Sequence, residues 1–335
     1  MNIQHQHTAH CESGVMSTLL QHHGINWNEA MVFGMASALS FAYIPLIKVS
    51  GQPLIAYRTP PKSIIQRVCK QLGIRLVMEK FSDEAAGMAA LDAALDRGEL
   101  VGLQTSVFWL PYFPEAMRFH FNAHNLLVYG KDGDDYLISD PVFETVQRCT
   151  SQDLRLARFA KGALAAKGLM YRLENVPSAA QIEAKMPHLL RLAIRKTAKQ
   201  MNAPVFFAGY KGIHTLANKI SKLEFNKNKL QNNALYLGHI VRMQEEIGTG
   251  GAGFRYLFAY FLQQAAAYLP AQECQQFSQQ LTEIGDSWRL FAAQAVKQCR
   301  KPAAQGYAEV ADSLHQLAER ERAFWQAVLR FTQNP

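Results

Sequence analysis

Apolar and polar positions change period along this chain, and the changes divide it in two. From about Glu12 to His23 the pattern predicts a first helix ending at Gly24. Ile64 to Leu72 repeats at helical spacing and stops at Gly73, a usual C-cap residue. Arg75–Glu79 reads as a short strand, and Asp83–Arg97 as an alanine-rich helix ending at Gly98. Leu100–Ser106, His124–Tyr129 and Tyr136–Ser139 read as strands. Between the last two, Asp132-Gly133 is a hairpin signal, and pairing about it gives partner numbers that sum to about 265. Helices followed by mainly antiparallel strands imply an α+β domain.

Beyond Pro177-Ser178 the strand signals fade, and glutamine, alanine and leucine dominate. Helical patterns run through Leu189–Met201, Ile213–Gln244, Phe254–Tyr268, Ala271–Cys299 and Gly306–Thr332. The expected division is therefore 1–176 and 177–335, an α+β domain and a mainly α-helical one. No internal repeat interrupts either half. The uncharged run Met31–Ile47 contains Gly34 and Pro45 and is read as a buried core segment rather than a membrane span.

Composition adds two constraints. With 335 residues, 49% hydrophobic and 19% charged, the chain has enough apolar material for a well-buried core, which excludes disorder as its main state. The five cysteines, Cys11, Cys69, Cys149, Cys274 and Cys299, are odd in number and form no CxxC pair, so neither a disulfide scaffold nor a structural zinc site is expected. The polar, histidine-rich start lacks signal-peptide regions, and a soluble cytoplasmic protein without an integral membrane segment is expected. His5, His7 and His10 read as part of a flexible tail rather than a metal site.

The formal net charge of +8 is concentrated. Residues 1–175 carry 16 basic and 16 acidic side chains, residues 178–230 carry 10 and 2, and residues 231–335 carry 9 and 9. The excess is either a solvated helix face or a docking face for an acidic partner. The basic segment has no nucleic-acid-binding motif, so nucleic acid is not expected.

Candidate chemistry lies in the neutral half. Cys11, in His10-Cys11-Glu12-Ser13-Gly14, falls where the first helix starts, and a helix N-terminus favours a thiolate and can hold an oxyanion. His124 opens the His-Asn-Leu-Leu-Val-Tyr-Gly strand, and Asp140 ends the next strand before Pro141. The estimated register places Asp140 one step from the residue opposite His124, where it would orient the imidazole. Each residue also has a structural reading: a buried thiol, a strand start and a turn cap. The order helix cysteine, strand histidine, next-strand aspartate favours a triad. Gln4 and Gln6, upstream of Cys11, are candidate oxyanion donors. His120 lies four residues before His124 on a strand entry with no third ligand, so no metal is expected. Phe108, Trp109, Tyr112 and Phe113 read as core ahead of an acyl-pocket lining.

These motifs, together with Phe33-Gly34-Met35-Ala36-Ser37 and Gly248-Thr249-Gly250-Gly251-Ala252-Gly253-Phe254-Arg255, resemble the family of the butirosin biosynthesis protein BtrH. Its N-terminal domain is similar to papain-like cysteine peptidases and is usually fused to a second domain. The resemblance implies a papain-like domain with an antiparallel sheet, and a helical domain that covers the site and docks the acyl donor. It implies a cysteine-dependent acyltransferase that moves an acyl or aminoacyl group from an acyl carrier protein to a small-molecule amine. Cys11 would take the acyl group, His124 would act as base and Asp140 would orient it. The Met35–Leu39 segment has less glycine than the family's usual segment, which leaves any substrate contact there in doubt.

No bound cofactor is expected; the donor arm would be the carrier's phosphopantetheine. Gly250, Gly251, Gly253 and Arg255 are candidates for its phosphate, because glycines admit close approach and a helix follows. A sharp loop between packed helices is the other reading. Carrier proteins are typically acidic, so Lys196, Lys199 and Lys219 in the basic segment are the candidate docking residues. A homo-oligomer stays open. The rival functions are a cysteine peptidase or amidase using water, and a non-catalytic binding protein.

Overall fold

The computed structural model describes residues 3–49 and 51–333. The first elements are α1 (Cys11–His22), α2 (Glu29–Met35), β1 (Leu39–Val49), β2 (Gln52–Arg58), α3 (Ser63–Leu72), β3 (Arg75–Glu79) and α4 (Glu84–Asp96). Then come β4 (Val101–Thr105), β5 (His124–Asp132), β6 (Asp135–Ser139), β7 (Gln147–Thr150), α5 (Ser151–Phe159), β8 (Met170–Glu174) and α6 (Ala179–Glu183). The remaining helices are α7 (Met186–Met201), α8 (Gly209–Ile220), α9 (Leu230–Glu245), α10 (Arg255–Ala265), α11 (Ala271–Arg300) and α12 (Gly306–Phe331).

The chain is α+β and forms two compact units, though not by a single cut. One comprises residues 1–32 and 61–184; the other comprises 33–60 and 185–335. The expected cut after residue 176 misses the excursion at 33–60 and precedes α6, which Ser178 and Gln181 open with a reciprocal capping box.

In the first unit, six antiparallel strands lie in the order β3-β8-β4-β5-β6-β7. Leu103, Leu126, Val128 and Ile138 pack with Leu91 of α4 and Leu154 of α5 in one apolar cluster. Helix α1 is buried along almost its whole length, Cys11 to Leu20. Several of its buried polar groups hold backbone groups of neighbouring segments. Glu12 accepts from the N–H groups of Ile64 and Ile65 at the start of α3, and the Ser17 hydroxyl donates to the Trp27 carbonyl.

The β5–β6 hairpin departs from the expected register. Gly133, at φ +61°, takes the first central position of the turn, so Asp132 pairs with Asp135 rather than entering the loop. Pairs next to the turn sum to 267, and an irregularity between Val128 and Gly130 brings the sum to 266 at Leu127–Ser139. Strand β6 ends at Ser139, so Asp140 lies beyond the ladder and the alternation of strand faces does not govern its side chain.

The second unit is mainly helical, with the β1–β2 hairpin supplied by residues 39–58. The Met31–Ile47 run is thus the end of α2, a short turn and most of β1, buried from Met31 to Leu39 and exposed at Pro45–Ile47. Met35 to Leu39 are fully buried, and the Ser37 hydroxyl donates to the Ala193 carbonyl, so this segment is packing. The long pattern over 213–244 is two helices, not one. Residues 221–229 interrupt it, held by the Asn226 side chain on the Asn228 N–H and a Lys229–Glu224 ion pair. Among the described residues, no helix is long and apolar enough to cross a membrane.

Candidate active site

The segment before α1 is pinned rather than loose. The His5 ring bonds the Ser139 hydroxyl and the Phe143 carbonyl, and the Thr8 N–H donates to the Pro141 carbonyl. The flexible-tail reading of this stretch is therefore corrected at His5 by contacts that sequence spacing does not display. Glu29 then takes the Ala9 and His10 N–H groups and the Ser13 hydroxyl on one carboxylate. Burial raises the Glu29 pKa, and those three donors work against the rise. His10 caps the helix through its ring, which accepts from the Ser13 N–H at 3.3 Å. Gly14 is required by closeness: a Cβ there would lie 2.2 Å from Thr8 Oγ1 and 2.6 Å from Pro141 Cβ.

These contacts hold Cys11 in the first turn of α1, largely buried at 8% exposure. Its side chain hydrogen-bonds His124. His124 Nε2 donates to Asp140 Oδ2 at 2.7 Å, which leaves Nδ1 as the ring nitrogen toward Cys11. The Asp140 Oδ2 atom also accepts the Tyr112 hydroxyl at 2.9 Å, and Oδ1 accepts the Val142 N–H at 3.2 Å. Phe113 stands edge-on to the imidazole with ring centres 5.3 Å apart. The three residues expected to form a triad thus make one connected chain, even though the register that suggested it is shifted.

The electrostatics follow from burial and charge. Burial alone would discharge His124, but the Asp140 carboxylate and the Cys11 side chain outweigh it and hold its pKa up at about 10. Burial and the Asp140 charge push the Tyr112 hydroxyl well up, so it stays a donor.

A raised histidine pKa stabilises the fold fully below the unfolded value of 6.5, and the contribution is lost as pH rises to about 10. The gap in denaturation midpoint between wild type and Asp140→Asn should therefore be widest below pH 6.5 and narrow toward pH 10. A gap that widens with pH would contradict the imidazolium–carboxylate pair.

Two neighbours escaped the sequence reading. Asn125 Nδ2 lies 4.0 Å from Cys11 Sγ, and the Tyr171 hydroxyl donates to Asn125 Oδ1 at 3.0 Å. Asn125 follows His124 directly, and that adjacency was the available signal; Tyr171 on β8 had none. Tyr112 also went unassigned as a partner of Asp140, because 28 residues separate the two.

Other candidates are not brought to Cys11. Gln6 Oε1 accepts from Gln21 Nε2, and Gln4 lines a hollow with Ile3, Thr18, Gln21 and His22. Ten residues of α1 separate Gln21 from Cys11, about 15 Å at the helical rise. Neither glutamine is an oxyanion donor in this arrangement. His120 stacks on Phe108, and among the described residues no group of three or more His, Cys, Asp or Glu could hold a metal ion. Phe113 is buried, whereas Phe108 and Trp109, read as core, are about a third exposed.

The glycine-rich turn of the helical unit is filled by its own side chains. The Gly251 N–H donates to Thr249 Oγ1, and the Ala252 N–H donates to the Glu245 carboxylate. Arg255 is fully buried, and its Nε donates to Glu321 at 2.8 Å and its Nη1 to the Gly253 carbonyl at 2.8 Å. A Cβ on Gly253 would lie 2.3 Å from the Tyr57 ring. Gly251, Gly253 and Arg255 are therefore corrected from phosphate ligands to packed positions with their own partners, whereas Gly250 is exposed. Lys196 and Lys199 on α7 and Lys219 on α8 are exposed.

A helix-borne cysteine joined to a histidine–aspartate pair at one end of an antiparallel sheet defines the class of site. Residues 10–141 match the family described as butirosin biosynthesis protein H, N-terminal. Residues 152–328, more than half of the chain, match a domain of unknown function, DUF4872. The chain belongs to the family that carries these two regions in this order. Among solved structures, it is similar to a candidate C39-like peptidase from Bacillus anthracis, at 14% identity and a TM-score of 0.36, over 52% of this chain and 96% of that one. No curated protein matches the chain.

Proposed function

We propose that this protein is a cysteine-dependent acyltransferase. It takes an acyl or aminoacyl group from an acyl carrier protein thioester onto Cys11 and passes it to an amine. The observation that carries the reading is the Cys11–His124–Asp140 chain. A histidine held protonated beside a cysteine favours the thiolate, which is the nucleophilic form. Asp140, fixed by Tyr112 and Val142, keeps the imidazole aligned through both proton transfers. The family match to a biosynthesis protein favours transfer over proteolysis.

The same three residues would serve a peptidase or amidase that uses water, so the product decides. Incubation with an acylated carrier protein and candidate amines should give the amide with little free acid. Free acid at the same rate with or without any amine would make the enzyme a hydrolase.

The carrier is proposed to dock on the basic helices. Lys196 and Lys199 share a face of α7 with exposed Arg195 and Leu192, a mixed basic and apolar surface suited to an acidic partner. Reversing charge at Lys196, Lys199 and Lys219 together should raise the apparent KM for carrier-borne donor by about 10-fold or more, given the typical energy of several rim charges. A small thioester donor should be spared. Equal loss with both donors would refute docking at this face.

A further inference from the structure

We propose that the side-chain amide of Asn125 is the oxyanion donor of this site, acting in both halves of the transfer. The inference rests on the acyl-cysteine reading above and names the side-chain donor that reading lacks, since Gln4 and Gln6 lie elsewhere.

The orientation of the amide is fixed by its partners. The Ala123 carbonyl can only accept, and it takes Asn125 Nδ2 at 3.2 Å. The Tyr171 hydroxyl donates to Oδ1 at 3.0 Å. One Nδ2–H is thus used by Ala123, and the second is directed to Cys11 Sγ at 4.0 Å. Asn125 is 4% exposed and Tyr171 is 1% exposed, so neither rotates without breaking a buried bond.

The 4.0 Å separation is informative because it is long. The second N–H is only weakly spent on the resting sulfur. An oxygen on the carbon attacked by that sulfur falls closer to it. A donor that gains its partner in the transition state lowers the barrier, whereas one satisfied in the ground state does not.

Thiolate Sγ forms a bond to the thioester carbonyl carbon, and the C=O π pair moves onto oxygen, where Asn125 Nδ2–H donates to it. Collapse re-forms C=O and breaks the carbon–sulfur bond to pantetheine, which leaves as a thiolate and takes the His124 proton. An amine then attacks the acyl-cysteine, an oxyanion forms again beside Asn125, and its collapse expels the Cys11 thiolate while His124 takes the amine proton.

The test compares two reactions of the full-length protein at Cys11. Acylation by an octanoyl thioester of N-acetylcysteamine passes through an oxyanion; alkylation by iodoacetamide does not. Asn125→Ala should slow acylation by about 100-fold or more, the usual effect of losing one such donor, and leave alkylation within about threefold. Equal slowing of both would make Asn125 a thiol-positioning residue, and unchanged acylation would remove it from the mechanism; either overturns the proposal. Tyr171→Phe keeps the ring packing while releasing the amide, and it serves if the Asn125 variant does not fold. It should slow acylation by several-fold with alkylation unchanged, and an unchanged rate of acylation would count against the proposal. If wild type itself accepts no acyl group, the acyltransferase reading fails as well; if wild type acylates normally and both variants match it, only the role of Asn125 fails.

Discussion

Cys11→Ala should abolish acyl transfer, with the chemical rate down by about 10⁴-fold or more, as expected when a covalent nucleophile is removed. The fold should survive. Cys11 is small and contributes little apolar area, and α1 is held by His10, Glu12 and Glu29. The variant should therefore melt within a few degrees of wild type and still bind the acylated carrier. Retained transfer in Cys11→Ala would remove Cys11 as the nucleophile, and with it the cysteine-dependent transferase and peptidase readings alike. Wild type that neither transfers nor hydrolyses any acyl group would leave a binding protein whose buried His124–Asp140 pair is structural. Rescue is a sharper version of the same test. Cys11→Ser places a weaker nucleophile in the same position, and it should recover at most a small fraction of the rate.

Glu321→Ala should cost the helical unit about 3–5 kcal/mol of stability, the range for breaking a buried ion pair. Glu321 is fully buried and holds three donors: Arg255 Nε at 2.8 Å, Trp288 Nε1 at 2.8 Å and Trp325 Nε1. Its loss leaves a buried guanidinium supported by the Gly253 carbonyl and the faces of Trp288 and Tyr57, 4.7 and 5.7 Å from the ring centres. Denaturant unfolding followed by tryptophan fluorescence reads this directly, because Trp288 and Trp325 flank the pair. Arg255→Met combined with Glu321→Leu should recover much of the loss, since an apolar replacement of the whole pair is often neutral. A cost below about 1 kcal/mol for Glu321→Ala would mean that Arg255 is not held in this way.

The parts of this protein that were readable in sequence are the ones written locally. A cysteine at a helix start, a histidine opening a strand and an aspartate before proline each carry their own signal. The hairpin between the last two made their meeting plausible. The register differs from the sequence expectation because Gly133, not Asp132, takes the first central turn position, yet the contact forms because Asp140 lies past the end of β6. Long-range partners left no local trace. Tyr112 reaches Asp140 across 28 residues, and Tyr171 reaches Asn125 across 46. The excursion of residues 33–60 into the second unit was hidden because an uncharged run marks burial without saying in which core. The glycine-rich turn misled for a related reason. Glycine permits close approach by any group, and here the group is the Tyr57 ring beside Gly253, with the Glu245 carboxylate on the Ala252 N–H.

The central claim is that an acyl group rests on Cys11, and intact-protein mass spectrometry tests it most directly. Full-length protein incubated with an acylated carrier protein should gain the mass of the acyl group. Peptide mapping should place the gain on Cys11, and added amine should discharge it as the amide. A gain on another residue, or none from any acylated carrier while Cys11 remains reactive to iodoacetamide, would contradict the account.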